Sequence, residues 1–165
     1  MTATPPPMSD ETARSDVAGV PLPPPFIYLI GLAVGGLAEL ARSTTGPSRP
    51  VAVTIAVLGG LAWLYLDGWS SIRFSRAGTP VIPYKPSTAL VVDGPYRFSR
   101  NPIYLGMAAL YVGLAFLLGW MWALVLLPVA LVAVDRLIIA REEPYLERRF
   151  GQPYVEYKQR VRRWI

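Results

Sequence analysis

Four stretches of this chain, residues 26–41, 51–67, 102–118 and 122–140, are apolar and almost free of charge. About 20 such residues cross the hydrocarbon core of a bilayer as a helix, the form that satisfies every backbone N–H and C=O within its own segment. Of the 165 residues, 16% are charged, against roughly a quarter in a soluble domain. The shortage falls in those four runs. The pattern predicts an all-α, polytopic membrane protein of about four transmembrane helices, forming one domain over 26–165. Residues 1–25, rich in Pro, Thr and Ser with no sustained apolar run, read as a disordered tail without the features of a secretory signal.

Punctuation between the runs sets their order. Pro23-Pro24-Pro25 opens the first, and Asp67-Gly68-Trp69 marks the expected end of the second. From Ser70 to Asn101, Gly78, Pro80, Pro83, Pro86, Gly94 and Pro95 predict a partly extended, structured loop. Asn101 suits an N-cap and Pro102 the first helical position, so a third helix is expected from there to Leu118. Gly119-Trp120-Met121-Trp122 turns the chain into a helix hairpin, whose returning arm is expected to bend at Pro128. Residues 142–165 form a C-terminal helical segment, with Gly151 as a C-cap and Pro153 opening a last amphipathic helix. Tyr154, Tyr157, Val161 and Trp164 lie along one side of that helix, and Lys158, Arg160, Arg162 and Arg163 along the others.

Charge orients the bundle. The formal net charge is +5, and most of the basic residues sit in the 70–101 loop and the C-terminal segment, with none in the third-to-fourth turn. Both basic segments, and both termini, are therefore expected on the cytoplasmic side of an inner or cytoplasmic membrane. Basic residues flanking apolar runs point to anionic lipid rather than nucleic acid.

The chain contains no His and no Cys. This removes thiolate nucleophiles, Ser-His-Asp triads and the usual zinc ligand sets, and no metal is expected. Any chemistry falls to Asp, Glu, Arg, Tyr, Asn, backbone groups or a cofactor. The hairpin should bring the helix start at Asn101–Gly106 and the segment Arg136–Glu143 to one membrane face. At helical spacing Asp135 shares a face with Glu142, and Arg136 with Glu143. Charges at the end of a span must pair, meet water or hold a ligand. Acceptors, donors for a carboxylate, and tyrosine rings then meet in one place, a mixture that suits a cationic cofactor bearing an amino acid. Taken singly, each feature has a plainer reading: a helix start, a solvated helix end, interfacial tyrosines, a lipid-surface helix.

Taken together, in order, these segments resemble the isoprenylcysteine carboxyl methyltransferase and phospholipid N-methyltransferase superfamily. The resemblance runs from Gly78-Thr79-Pro80 to the C-terminus. It is carried by Leu90-Val91, Gly94-Pro95-Tyr96, Arg100-Asn101-Pro102-Ile103-Tyr104-Leu105-Gly106, Glu142-Glu143-Pro144-Tyr145-Leu146, and Phe150-Gly151 with Tyr154, Tyr157 and Val161. It implies S-adenosyl-L-methionine as methyl donor, held between the helix hairpin and a C-terminal helix that covers the site, with a lipid-like or prenylated acceptor. Carried over, the cofactor contacts are Leu90, Val91, Tyr96, Asn101, Pro102, Tyr104, Glu142 and Glu143, and Arg141 is the residue expected to orient substrate. The family commonly has His where this chain has Asn101, so a neutral hydrogen bond or a backbone group has to serve there. Two other classes share parts of the pattern: nicotinamide-dependent membrane reductases of isoprenoids or steroids, and a non-catalytic membrane scaffold.

Overall fold

The computed structural model describes residues 17–82 and 84–165, and among them every regular element is a helix. Helix α1 spans Pro24–Ala41, α2 Arg49–Arg76, α3 Pro102–Leu118 and α4 Met121–Val134. A π-helical turn, Asp135–Ile139, joins α4 to α5, Ala140–Phe150, without a break. Helix α6, Gln152–Arg160, follows, and a 3-10 turn, Gly94–Arg97, lies in the long loop. The expected tail lies for the most part outside the described residues. Within them, Val20 is already buried in the main core.

Prolines start these helices. They occupy one of the first two positions of α1, α2, α3 and α6, where a missing N–H costs nothing and the fixed φ is helical. At Asn101 the side chain does not cap α3. Its Nδ2 donates instead to the Arg163 carbonyl at 2.8 Å.

Helix α2 overruns its expected end by more than two turns. Asp67-Gly68 does not stop it, because a lone Gly weakens a helix without breaking it and the next proline is Pro80. Arg73 and Arg76 in its last turn complement the negative end of the helix dipole. At 28 residues, or about 42 Å, α2 is longer than a bilayer core of roughly 30 Å. The returning arm also continues past 140, so Met121–Phe150 forms one 30-residue helical rod. Conversely, α6 ends at Arg160 and Val161 is extended, so the last residues are not the helical stripe that their spacing predicts.

Three helices, Pro24–Ala41, Arg49–Arg76 and Met121–Phe150, are long and apolar enough to cross a membrane, and the apolar α3 is shorter at 17 residues. They alternate in direction, so α1 and α3 begin at the end where α2 and α4 finish. Helix α1 packs on α4, and α2 lies along α3. The α2–α3 seam is close: a Cβ on Gly59 would stand 2.5 Å from the Ala109 carbonyl oxygen, and one on Gly113 3.1 Å from that of Ala56. Small residues let backbones approach where lipid supplies no hydrophobic drive between helices.

Two apolar clusters result. One fills the bundle with Tyr28, Leu32, Tyr111, Ala115, Val134 and Ile138. The other, Val91, Tyr96, Tyr154 and Tyr157 with Phe74 and Leu146 around them, pins the long loop to α6.

Replacing Gly59 by Ala should destabilise the protein in detergent by about 1–3 kcal/mol through overpacking. At the neighbouring Gly60, where a Cβ meets nothing within 4 Å, the same change should be neutral or stabilising. Equal loss of thermal stability in both variants would contradict the close seam.

Candidate functional site

Between the two clusters, at the end of the bundle where α3 starts, lies a cavity of about 350 Å³. That is within the roughly 300–1,000 Å³ of small-molecule sites. Its wall draws on the start of α1, the loop around Val81 and Leu90, the beginning of α3, the π turn, α5 and α6. Of the eight residues expected to contact a cofactor, Leu90, Val91, Tyr96, Asn101, Tyr104, Glu142 and Glu143 line it. Pro102, fully buried, lies beneath as the first residue of α3. Arg141 stands outside, its Nη1 donating to the Gly19 carbonyl at 3.0 Å.

The adjacent glutamates face different partners. The Tyr104 hydroxyl donates to both oxygens of Glu142, at 2.8 and 2.9 Å. Glu143, 7% exposed, accepts from two arginines: Arg100 Nη2 at 2.9 Å, and Arg163 Nε and Nη2 at 3.1 and 2.6 Å. Arg163 Nη1 reaches on to Asp135 at 3.1 and 3.2 Å, and the Trp164 indole N–H donates to the same carboxylate at 3.3 Å.

The expected pairing of Asp135 with Glu142 on one face is therefore corrected to Asp135 with Glu143. The π turn inserts one residue between them, so the spacing that returns to the same face grows by one. Glu142 is thereby released toward Tyr104.

The C-terminal residues close this corner. The Arg100 N–H donates to the Arg162 carbonyl at 3.0 Å, and Asn101 Nδ2 and Ser99 Oγ both reach the Arg163 carbonyl. Asn101 thus supplies a neutral hydrogen bond to the tail. Above it, the Tyr157 hydroxyl donates to the Tyr96 carbonyl at 2.8 Å, and below, the Tyr28 hydroxyl to that of Tyr104 at 2.9 Å. Burial pushes the hydroxyls of Tyr96, Tyr154 and Tyr157 above the usual phenol range. Hydrogen bonding to Glu143 raises the Arg163 guanidinium above its already high ordinary value.

Arg100 and Arg163 belong to this corner although the sequence does not single them out. Arg100 stands beside Asn101 in the segment that opens α3, and that place is the available signal. Arg163 carries none, since it is one of four arginines and lysines in a basic tail.

The match to known proteins takes in much of this corner. The family model for phospholipid methyltransferases matches residues 51–153, which takes in α2, the long loop, the hairpin and both glutamates. The chain belongs to the phospholipid methyltransferase family. A protein of Haemophilus influenzae, described only as uncharacterised, is 42% identical over 48 residues, covering 29% of this chain and 70% of that one. No solved structure matches the chain significantly. The match ends at 153, so Tyr154 and Tyr157, which line the cavity, and Arg163, which holds Glu143, lie beyond it.

Glu143→Ala leaves two arginines facing a buried site without their shared carboxylate, and should cost about 3–5 kcal/mol of unfolding stability. A loss below ~1 kcal/mol in denaturant titrations would show that the network contributes nothing. The buried tyrosines set an alkaline limit. Below about pH 10, the ordinary phenol value, both folded and unfolded states keep their protons and stability is complete. As pH rises further the unfolded chain ionises first, and stability falls. Phenolate absorbance should therefore show these tyrosines appearing only together with unfolding.

Proposed function

We propose that the chain transfers a methyl group from S-adenosyl-L-methionine to a lipid-like acceptor at the cytoplasmic face of a membrane. The observation that supports this most directly is the cavity itself: Glu142, the Tyr104 hydroxyl and the start of α3 open onto one space of about 350 Å³. The lining suits the group. Glu142 offers carboxylate oxygens to a cation or to hydroxyls, and Arg100 offers buried N–H donors. Tyr96, Leu90 and Val91 offer apolar surface to a flat ring.

When bound, this cofactor supplies a methyl already activated on a sulfonium. The chain's own residues then have to hold, align and keep dry. Tyr104 fixes the carboxylate of Glu142 in one orientation, and Asn101 and Arg163 tie the tail across the α3 start, restricting water. Pro23, Pro24, Pro25, Val81, Ile82 and Met107 add apolar lining to the same cavity, which suits the hydrocarbon part of an acceptor. A carboxylate acceptor would lose its charge on methylation, a step that a site of low dielectric favours. An amine acceptor would have to shed a proton.

Calorimetry on the full chain in detergent should show binding of S-adenosyl-L-methionine and of its demethylated product. Tyr104→Phe and Glu142→Gln should each weaken binding by about 1–3 kcal/mol, roughly 5- to 150-fold. Mass spectrometry of lipid extract incubated with isotopically labelled methyl donor should then reveal the acceptor. Absence of binding, with NADPH bound instead, would favour a reductase.

A further inference from the structure

A second hollow lies along the hairpin and shares no lining residue with the cavity. It is an open groove of about 470 Å³ between Leu105 and Ala108 of α3 and Leu131 and Val132 of α4. Asp135, Arg136 and Trp164 bound it toward the α3 start. Exposure along the returning arm tells which way it faces. Val125, Val129, Val132 and Arg136 are all exposed, and steps of four, three and four residues keep them on one side of the helix. An uncharged stripe left open over several turns of a membrane helix faces hydrocarbon. Arg136 stands where that stripe ends.

The ion pairs around it leave Arg136 over. Asp135 accepts from Arg163 at 3.1 and 3.2 Å and from the Trp164 indole at 3.3 Å, whereas Arg136 Nε stands 3.8 Å from it. Glu143 is shared by Arg100 and Arg163. Two carboxylates thus face three guanidiniums. Arg136, with 79% of its side chain accessible, is the one without a hydrogen-bonded acid among the described residues. A charge at the edge of hydrocarbon meets water or holds a counter-ion, and a guanidinium offers a fork of N–H donors that matches a phosphate. Trp164, its N–H already given to Asp135, has only ring surface left for the groove, as befits a tryptophan at a membrane boundary.

We propose that this groove binds an anionic phospholipid, with one acyl chain along Leu131 and Val132 and the phosphate on Arg136. The surplus positive charge favours a headgroup of net negative charge over a zwitterionic one, whose own cation would meet Arg136 and Arg163. This lipid resides on the outer surface and is not the methyl acceptor. The inference rests on the chain's place in a membrane and is independent of methyl transfer. Because Trp164 walls the groove and its neighbour Arg163 holds Glu143, a seated lipid also braces the tail.

The test is native mass spectrometry of the full chain in a neutral maltoside detergent, with dioleoyl phosphatidylglycerol and dioleoyl phosphatidylcholine added at equal concentration. The wild-type chain should retain phosphatidylglycerol roughly fivefold more than phosphatidylcholine, the effect of one basic residue at an anionic surface. Arg136→Gln should bring that ratio to about one, and Arg136→Lys, which keeps the charge, should preserve part of it. Val132→Trp, which fills the groove and leaves Arg136 in place, should weaken the retention of both lipids. Arg160→Gln removes another exposed charge from the C-terminal segment, outside the groove, and should leave the ratio unchanged. An equal fall in Arg136→Gln and Arg160→Gln would reduce the effect to general attraction between a basic chain and anionic lipid, and would overturn the site. No preference in the wild type, or a preference that survives Arg136→Gln, would do the same. Retention lost in Glu142→Gln but not in Val132→Trp would put the lipid in the cavity instead. Arg136 and Val132 are exposed, so these variants should fold, and an unchanged melting temperature in lipid-free detergent checks that.

Discussion

Glu143 is the side chain on which the end of the bundle where α3 starts depends. One buried carboxylate binds Arg100, just before α3, and Arg163, two residues before Ile165, while itself belonging to α5. Three parts of the chain distant in sequence are thereby held at one point. A buried ion pair need not add net stability, because desolvation offsets much of the attraction. Its consequence here is positional. With both arginines anchored, the tail passes over the α3 start in an arrangement reinforced by the Arg100 N–H, which donates to the Arg162 carbonyl, and by Asn101 Nδ2, which donates to that of Arg163.

The π turn at Asp135–Ile139 makes that arrangement compatible with a binding site. In an uninterrupted α-helix Asp135 and Glu142 would share a face, and Arg163 would draw both inward. The inserted residue turns Glu143 toward the arginines and Glu142 toward Tyr104 and the cavity. Two chemically identical neighbours acquire different duties because the helix that carries them is locally wider.

The cavity lies between a membrane-embedded cluster and a cluster of loop and tail tyrosines. Such a place brings an apolar wall within reach of charged groups that could not stand unpaired deeper in lipid. A methyltransferase acting on lipids needs both environments at once. Tyrosines suit the boundary, since their rings pack with the apolar clusters while their hydroxyls tie loops to helices, as Tyr157 does to Tyr96 and Tyr28 to Tyr104.

The seven expected residues that line the cavity are legible only through the family resemblance, whereas the helical membrane class, the hairpin and α3 at its observed bounds can be read without it. These follow from local physics: uncharged runs must be helical in lipid, Pro102 starts a helix, and Gly119 ends one in the left-handed conformation at φ 72°. How far α2 and the returning arm extend, which glutamate meets the arginines and which meets Tyr104, and that Arg100 and Arg163 belong to the site emerge only from the folded chain. Arg163 is one of several basic residues in a tail whose helix stops at Arg160, and nothing in its neighbours marks it. Its role arises from a carboxylate 20 residues away, presented by a helix whose register depends on a π turn. Periodicity assumes a constant number of residues per turn and sees only neighbours in sequence, so a register shift and an ion pair closed across the fold both lie outside its reach.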